Sequence, residues 1–132
     1  MSDKSYRILV TGSRKWTNKK YLAEKLIEAM EGHYPNVVIV HGGCPRGADM
    51  FAEVFARYNN IPTEVHPANW KKHGPKAGIL RNQEMVDAGA DLCIGFIAGE
   101  SRGTKHCVKA AQKADIPTAV VTNIYDETPS WV

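Results

Sequence analysis

Five short apolar runs alternate with four helical patterns along this chain, and that alternation limits its fold more than any other feature. The runs are Tyr6–Thr11, Val37–His41, Thr63–His66, Leu92–Ile97 and Thr118–Thr122. Val37–Val40 is apolar at every position, which is typical of a strand covered on both faces. Regular alternation of such strands with helices predicts an α/β fold built on a parallel sheet.

The helices are predicted from apolar residues at helical spacing and from capping residues. Thr17 or Asn18 caps the first helix, which ends at Gly32. Its apolar stripe consists of Tyr21, Leu22, Leu26, Ile27 and Met30. The second helix begins at Asp49, and its apolar side consists of Met50, Val54, Phe55 and Tyr58. The third and fourth helices are expected over about Ala77–Ala88 and Gly103–Ala114.

The connections between these elements favour one topology. Asn60-Ile61-Pro62 and Asp115-Ile116-Pro117 occupy equivalent joints between a helix and the next strand. Right-handed crossovers then favour a doubly wound, five-stranded Rossmann-like sheet in the order 3-2-1-4-5, with helices on both faces. We expect residues 1–132 to form a single domain with a short C-terminal tail from about residue 123.

Four glycine-rich segments follow or flank the predicted strands and indicate where a ligand binds. They are Thr11–Arg14, Gly42–Asp49, Gly78–Asn82 and Gly99–Thr104. Glycine lets the backbone approach a ligand, and free N–H groups at a following helix start bind anions. In a doubly wound sheet the ligand lies at the carboxyl ends of the strands, where the strand order reverses. The convergence of these loops therefore predicts a site for a phosphate-bearing ligand.

Each loop also has an ordinary structural interpretation. Ser13 and Arg14 either hold a phosphate or ribose or belong to a generic turn after Gly12, and Trp16 is expected to cover the first helix. Asp49 either caps its helix or binds a ribose hydroxyl or an activated water. Arg81 either reaches back to the site from a flap that begins near Trp70 or lies at the surface.

The remaining candidates divide in the same way. Gly103 and Thr104 begin a helix and suit a phosphate, or they form a Ser/Thr cap beside an exposed Glu100. The full set of predicted ligand-binding residues is Gly12, Ser13, Arg14, Gly42, Gly43, Arg46, Gly47, Asp49, Arg81, Asn82, Gly103 and Thr104. A Walker P-loop is excluded, because no Gly-Lys-Ser/Thr follows the glycines.

Composition narrows the class of protein. The formal charge of +3 carries no clustered basic run, so nucleic-acid binding is less favoured than a small ligand. The three cysteines Cys44, Cys93 and Cys107 form no C-x-x-C pair, which predicts neither disulfides nor a zinc site. The chain has no membrane-length apolar run. A cytoplasmic protein without a bound cofactor or metal is expected.

The combined motifs resemble the YspA/YpsA-related family of the SLOG superfamily. The segments that carry the resemblance are Val10–Trp16, His41–Asp49, Ala77–Asn82 with Met85, and Gly103-Thr104. The superfamily includes phosphoribohydrolases that release cytokinin bases and DNA-processing proteins that bind single strands. The resemblance therefore implies a Rossmann-like fold, a nucleotide-like ligand at these loops and a homodimer, in a family found in bacteria and their phages.

The chain departs from the hydrolases of that superfamily at one position that matters for catalysis. Arg81-Asn82 with Met85 is similar to their Arg-Lys-x-x-Met segment, so Arg81 corresponds to their catalytic arginine. Their glutamate shortly after Gly-Thr is absent, because Gly103-Thr104 is followed by Lys105, His106 and Cys107. Asp49 or Glu100 would have to replace that carboxylate.

Three functions follow, in order of preference. The first is binding of a nucleotide or nucleotide-derived ligand, as in a signal-sensing module. The second is hydrolysis of the N-glycosidic bond of a nucleoside monophosphate, with Arg81, Asp49 and Glu100 as catalytic candidates. The third is single-stranded DNA binding, which the scattered basic residues favour least.

Overall fold

The computed structural model describes residues 5–122 of the chain, and within that range one parallel sheet is formed. Its strands are β1 (Tyr6–Gly12), β2 (Val37–His41), β3 (Thr63–Val65), β4 (Leu92–Ile97) and β5 (Thr118–Thr122). Their order is β3-β2-β1-β4-β5, and each neighbouring pair is parallel. This confirms the predicted doubly wound α/β class and strand order. The tail expected from about residue 123 lies outside the described residues.

Helices cover both faces of the sheet between residues 5 and 122. They are α1 (Lys19–Met30), α2 (Ala48–Tyr58), α3 (Trp70–His73), α4 (Ala77–Asp87) and α5 (Arg102–Lys113), with a 3-10 turn over Gly74–Lys76. On β1, Ile8 and Val10 belong to the core beneath α1 and α2, whereas Leu9 belongs to the core beneath α4 and α5. Alternate residues therefore bury against opposite layers, which explains why the strand is apolar throughout.

Two features of the helices match the expectations from sequence. The side chain of Asn18 accepts a hydrogen bond from the Tyr21 N–H at 3.0 Å and so caps α1. Trp16 is 1% exposed and packs edge-on against Phe96, with ring centroids 5.2 Å apart. Trp16 therefore belongs to the core over β1 and β4, as its predicted covering role requires.

The two joints that end in Ile-Pro have the same geometry. Asn60 and Asp115 adopt positive φ angles of 55° and 62°. The N–H of Ile61 donates to the Ala56 carbonyl at 2.8 Å, and that of Ile116 donates to the Ala111 carbonyl at 2.9 Å. These are Schellman ends, in which a left-handed residue closes the helix and the following apolar residue returns to the core. Each joint thereby aims the next strand into the sheet.

The predicted apolar side of α2 is correct at Phe55, which is 9% exposed, but wrong at Val54 and Tyr58. Val54 is 43% and Tyr58 85% exposed, whereas the buried face contains Ala48, Ala52 and Ala56. Small residues are needed there because α2 begins close against the end of β1. A Cβ added to Gly12 would overlap the Cβ of Ala48. This close approach brings the start of α2 to the carboxyl edge of the sheet.

The strand order reverses between β1 and β4, and the loops after these strands separate to leave a crevice. Ser13 and Ser101 each donate a hydroxyl hydrogen bond to the Ala98 carbonyl, at 3.0 and 3.2 Å. The two loops are therefore joined at the base of the crevice. None of the helices between residues 5 and 122 is long and apolar enough to cross a membrane.

Candidate functional site

A crevice of about 780 Å³ opens at the carboxyl edge of the sheet, above β1, β2 and β4. It is lined by Glu100 and by every predicted ligand-binding residue except Gly47. Those residues are Gly12, Ser13, Arg14, Gly42, Gly43, Arg46, Asp49, Arg81, Asn82, Gly103 and Thr104. The structure therefore brings the predicted set together at the switch point of the sheet, where doubly wound folds bind ligands.

The lining divides into two regions by exposure. We name Ser13, Gly42, Asp49, Arg81 and Asn82 the floor, because they are buried or half-buried. We name Arg14, Lys15, Arg46 and Trp70 the rim, because they are exposed.

Gly47 shapes the floor without lining the crevice. It has a φ of +76°, and a Cβ there would overlap the carbonyl oxygen of Ser13 and lie 2.5 Å from the Cα of Arg14. The N–H of Ala48, the next residue, donates to the same Ser13 carbonyl at 3.1 Å. This glycine is therefore required for packing between two loops, which is a different role from the predicted contact with a ligand.

Arg81 extends from α4 to the glycine-rich loop after β2. Its Nη1 donates to the Gly42 carbonyl at 2.7 Å, and its Nε donates to the Asn82 Oδ1 at 2.9 Å. A Cβ at Gly42 would overlap the Arg81 guanidinium. The absent side chain at Gly42 thus makes room for the arginine, and the alternative of a solvent-exposed Arg81 is wrong.

Asn82 connects α4 to the start of α5. It is 4% exposed, and its Nδ2 donates to the Gly103 carbonyl at 3.1 Å. Because its Oδ1 accepts from Arg81, one amide group orients both the arginine and the α5 terminus. Its side chain acts here as a positioning group rather than as an open donor.

Asp49 is the buried acid of the floor. It is the second residue of α2, after an N-cap at Gly47, so the predicted capping role is wrong. Its carboxylate accepts from the Cys44 N–H at 3.3 Å instead, which holds the glycine-rich loop against the helix. Burial raises the pKa of Asp49, although His41, the loop N–H groups and Arg81 act in the opposite direction.

His41 supports the same loop and was not among the predicted site residues. Its Nδ1 accepts from the Gly43 N–H at 3.0 Å, and its Nε2 lies 2.6 Å from the Glu53 Oε1. Both ring nitrogens are therefore held by the protein, one by the glycine-rich loop and the other by α2. Since His41 is 2% exposed, its role is to position the loop from below.

A chain of charged side chains supports the floor from the α4 side. Arg7 makes a bidentate pair with Glu64, at 2.8 and 2.9 Å, and His66 Nε2 lies 2.7 Å from the same carboxylate. The other ring nitrogen of His66 binds Glu84 on α4. The carbonyl of His66 also accepts from Arg81 Nη1 at 3.4 Å, so this network reaches the floor.

The α5 helix begins at the crevice without a capping side chain. Ser101 occupies the N-cap position with a φ of 48°, and its hydroxyl binds the Ala98 carbonyl rather than a helix N–H. The predicted Ser/Thr cap is therefore not made by Ser101. A Cβ at Gly103 would meet no atom within 4 Å, so the first turn of α5 faces open space. Uncapped N–H groups in such a position attract anions.

The rim adds positive charge to the lining of the crevice. Arg14 and Arg46 are exposed, and the Arg14 guanidinium lies 5.9 Å from the centroid of the Trp70 ring. Trp70 begins α3, which Asn69 caps by accepting from the Lys72 N–H at 3.0 Å. The sequence predicted a polar flap here, and the described segment is instead a short helix followed by a 3-10 turn.

In the part of the chain from residue 5 to 122, no group of three or more His, Cys, Asp or Glu side chains is arranged so that it could hold a metal ion. His41 binds Glu53, while Cys44 lines the crevice. His106 lies near Asn82, at 3.5 Å between ring and amide nitrogens.

Comparison with known proteins gives the family. Residues 6–73 match the family model described as YspA, cpYpsA-related SLOG family. This chain belongs to that family. The Gene 61 protein of Mycobacterium phage D29 is 46% identical over 116 residues, covering 84% of this chain and 92% of the phage protein. The resemblance inferred from the motifs is thus confirmed.

A solved structure shows the same fold at low identity. The Moco carrier protein from Chlamydomonas reinhardtii superposes with a TM-score of 0.60 and 17% identity, covering 93% of this chain and 80% of that protein. At this identity the likeness shows the fold alone, which is the doubly wound, Rossmann-like sheet described above.

Sequence reasoning missed two parts of the site. Trp70 lines the crevice, although it was predicted only to begin the flap. The pair of His41 and Glu53 had one available signal, since Glu53 lies one turn after Asp49 on the same helix. A glutamate one turn after an aspartate is common on helices, so this spacing did not indicate that Glu53 contacts His41.

Proposed function

We propose that this protein binds a small, phosphate-bearing, nucleotide-like ligand in the crevice at the switch point of its sheet. The observation that carries the proposal is the start of α5, which opens on the crevice without a side-chain cap. Gly103 leaves open space above that turn. A phosphate there would accept hydrogen bonds from backbone N–H groups and gain from the helix dipole.

The charges of the rim support the same ligand class. Arg14, Lys15 and Arg46 line the crevice and are exposed, so their charged groups are available to an anion. Arginine presents a planar donor fork that matches phosphate oxygens. At the floor, the Asp49 carboxylate would accept a hydrogen bond from a ribose hydroxyl, and the Arg81 guanidinium adds a positive charge.

Isothermal titration with AMP, ribose 5-phosphate and inorganic phosphate tests the proposal. We expect the double variant Arg14→Ala/Arg46→Ala to bind ribose 5-phosphate at least about tenfold more weakly than wild type, because two charge-assisted contacts are lost. Lys109→Ala/Lys113→Ala removes the same charge from exposed positions towards the far end of α5 and is the matched control. If both double variants bind ribose 5-phosphate equally weakly, the loss of affinity comes from the change in net charge, and the assignment of Arg14 and Arg46 to the phosphate is contradicted.

A single-stranded oligonucleotide in the same titration separates the third function from the first. Nucleic-acid binding depends on many phosphate contacts, so its affinity falls steeply with salt. Tight oligonucleotide binding with a steep salt dependence, together with no binding of the small phosphates, would replace the proposal. The homodimer implied by the family resemblance stays a prediction, which the mass in solution tests.

A second candidate, hydrolysis of the N-glycosidic bond of a nucleoside monophosphate, is favoured by Asp49. Its carboxyl is 6% exposed beside the crevice, and burial raises its pKa. A carboxyl with a raised pKa can donate a proton to the leaving base as the N-glycosidic bond breaks, and the water that adds to the sugar carbon then returns a proton to the carboxylate. Glu100 is the other acid in the lining, but its side chain is 77% exposed and lies 3.6 Å from Arg102.

Release of adenine from AMP, followed by chromatography, distinguishes catalysis from binding alone. If the chain is a hydrolase, Asp49→Asn is expected to slow release by at least about a hundredfold, the range for losing a general acid. Glu100→Gln provides the comparison at the exposed acid. Binding of AMP without release of adenine by wild type would leave binding as the function and remove the hydrolase.

A further inference from the structure

Trp70 is the aromatic side chain of the crevice, and within residues 5–122 no other aromatic ring lines it. It is 48% exposed, whereas Trp16, the other tryptophan in the described range, is 1% exposed. A large apolar ring that stays in water at the wall of a polar crevice is informative, because burying it would stabilise the fold.

The position of the ring is fixed by its neighbours in the chain. Asn69 caps the short helix that Trp70 begins. A Cβ at Gly78 on α4 would lie 3.3 Å from the Trp70 Cη2, so the ring edge rests where that side chain is missing. The same Cβ position is 4.0 Å from the Arg81 Nη2. The Trp70 ring and the Arg81 guanidinium therefore both lie close to Gly78 at the wall of the crevice.

One face of the ring is covered by an exchangeable group. The Arg14 guanidinium lies 5.9 Å from the ring centroid, and Arg14 is exposed. A cation–π contact at an exposed site is weak, and a planar heterocycle offers a larger stacking area to the same face. Displacement would also release the Arg14 guanidinium for a phosphate, its better partner.

We infer that Trp70 is the stacking platform for the heterocyclic base of the ligand and that Arg14 exchanges from the Trp70 ring to the ligand phosphate. This inference rests on the proposed function, and it adds a position for the base, which the proposed function does not specify. The base then lies at the rim against α3, and the phosphate lies across the crevice towards the start of α5. The sugar spans the floor between them.

AMP and ribose 5-phosphate separate the base from the phosphate, because they differ by the adenine alone. Base–aromatic stacking lowers affinity by about 5- to 100-fold when the ring is removed. Trp70→Ala is therefore expected to weaken AMP by that factor and to change ribose 5-phosphate by less than about twofold. Trp70→Phe, which keeps a smaller ring, is expected to fall between wild type and Trp70→Ala for AMP.

The matched control is Tyr58→Ala, which removes an aromatic ring that is 85% exposed at the end of α2 away from the crevice. It is expected to leave both affinities unchanged. Quenching of tryptophan fluorescence by AMP gives a second readout, since it should be present in wild type and lost in Trp70→Phe. Thermal unfolding of each variant confirms that it is folded before titration.

The outcomes are distinct. Selective loss of AMP affinity with loss of quenching supports the inference. Equal weakening of both ligands would make Trp70 a wall of the phosphate site and overturn it, and so would unchanged AMP affinity in Trp70→Ala. If wild type binds neither ligand, the proposed function fails first and the inference fails with it. Binding of ribose 5-phosphate with no gain from adenine would overturn the inference while keeping the proposed function.

Discussion

The floor and the rim of the crevice both contain arginine, but the arginines of the two regions make different contacts. At the floor, Arg81 and Asp49 bind loop carbonyls and N–H groups of the protein itself. At the rim, Arg14 and Arg46 are exposed. Groups already satisfied by the protein mainly fix the shape of the crevice, whereas exposed charges remain available to a ligand. The arginines of one crevice therefore have separate roles.

The comparison predicts that changes at the floor destabilise the fold and that changes at the rim do not. The largest effect is expected for Gly47→Ala. This substitution adds left-handed strain at a φ of +76° and forces a Cβ into the Ser13 carbonyl. We expect a loss of about 2–4 kcal/mol in the free energy of unfolding, measured by denaturant titration.

Gly32→Ala is the control for strain without contact. Gly32 has a φ of +81° and no atom within 4 Å of an added Cβ. Its expected loss is about 1–2 kcal/mol, the cost of the left-handed region alone. Equal losses in the two variants would mean that the packing of Gly47 against the β1 loop contributes little, and the floor would be less rigid than argued.

The next effect in size is expected for Arg81→Ala. This variant removes hydrogen bonds to the Gly42 carbonyl and Asn82, and it leaves an unfilled space beside Gly42. The expected loss in the free energy of unfolding is about 1–3 kcal/mol. The pKa of Asp49 should rise further, because Arg81 is one of the groups that lower it.

Arg81→Ala combined with Gly42→Ala tests whether the two positions act as one unit. The added methyl occupies part of the space that the guanidinium vacates, since the two overlap in the native arrangement. The double variant should therefore be less destabilised than the sum of the single variants. Simple additivity would show that Gly42 and Arg81 do not share their packing.

Much of the fold was predictable because local signals and topology agreed. The apolar strands predicted the parallel sheet, and the two Asn/Asp-Ile-Pro joints predicted equivalent helix ends, which the positive φ angles of Asn60 and Asp115 now explain. The apolar side predicted for α2 was wrong at Val54 and Tyr58 for a physical reason. The prediction followed the large apolar residues, whereas the start of the helix packs so closely against Gly12 that the small residue Ala48 lies there.

The roles within the site were less predictable than its membership. A glycine looks the same in sequence whether it borders open space, as Gly103 does, or accommodates Arg81, as Gly42 does. The contacts among Arg7, Glu64 and His66 had no signal in the sequence. Arg7 lies in β1, whereas Glu64 lies in β3 and His66 directly follows β3. Such contacts depend on register, which a single sequence does not specify.

A smaller effect is expected from pH, through the network that supports the floor. Burial lowers the pKa of His66, but the carboxylates of Glu84 and Glu64 outweigh it, so the pKa is raised above 6.5. Arg7 and His66 lower the pKa of Glu64 from 4.5 to about 2. The His66 contribution is present below pH 6.5 and is lost as pH rises through the raised pKa. The Glu64 contribution is present above pH 4.5 and is lost as pH falls towards 2.

The network should therefore stabilise the fold most between about pH 4.5 and 6.5. In His66→Gln, which cannot carry the charge, we expect a loss below about 1 kcal/mol in that window, since Glu64 and Glu84 are partly exposed. The difference between wild type and variant should shrink above the window. Urea unfolding at about six pH values measures this difference in the free energy of unfolding. A difference that stays constant from pH 5 to 9 would mean that His66 contributes by packing and not by its charge.

The smallest effect on stability is expected at the rim. A variant there tests whether a residue can be needed for ligand binding without stabilising the fold. Arg46→Ala removes an exposed side chain that has no hydrogen bond or ion pair among the residues described, so unfolding should change by less than about 0.5 kcal/mol. Its affinity for ribose 5-phosphate should nevertheless fall several-fold, about the loss of one charge-assisted contact. Arg81→Ala should show the reverse ranking, with the larger change in unfolding. If Arg46→Ala destabilises the protein as much as Arg81→Ala does, the division into floor and rim is wrong. The rim residues would then stabilise the fold as the floor residues do.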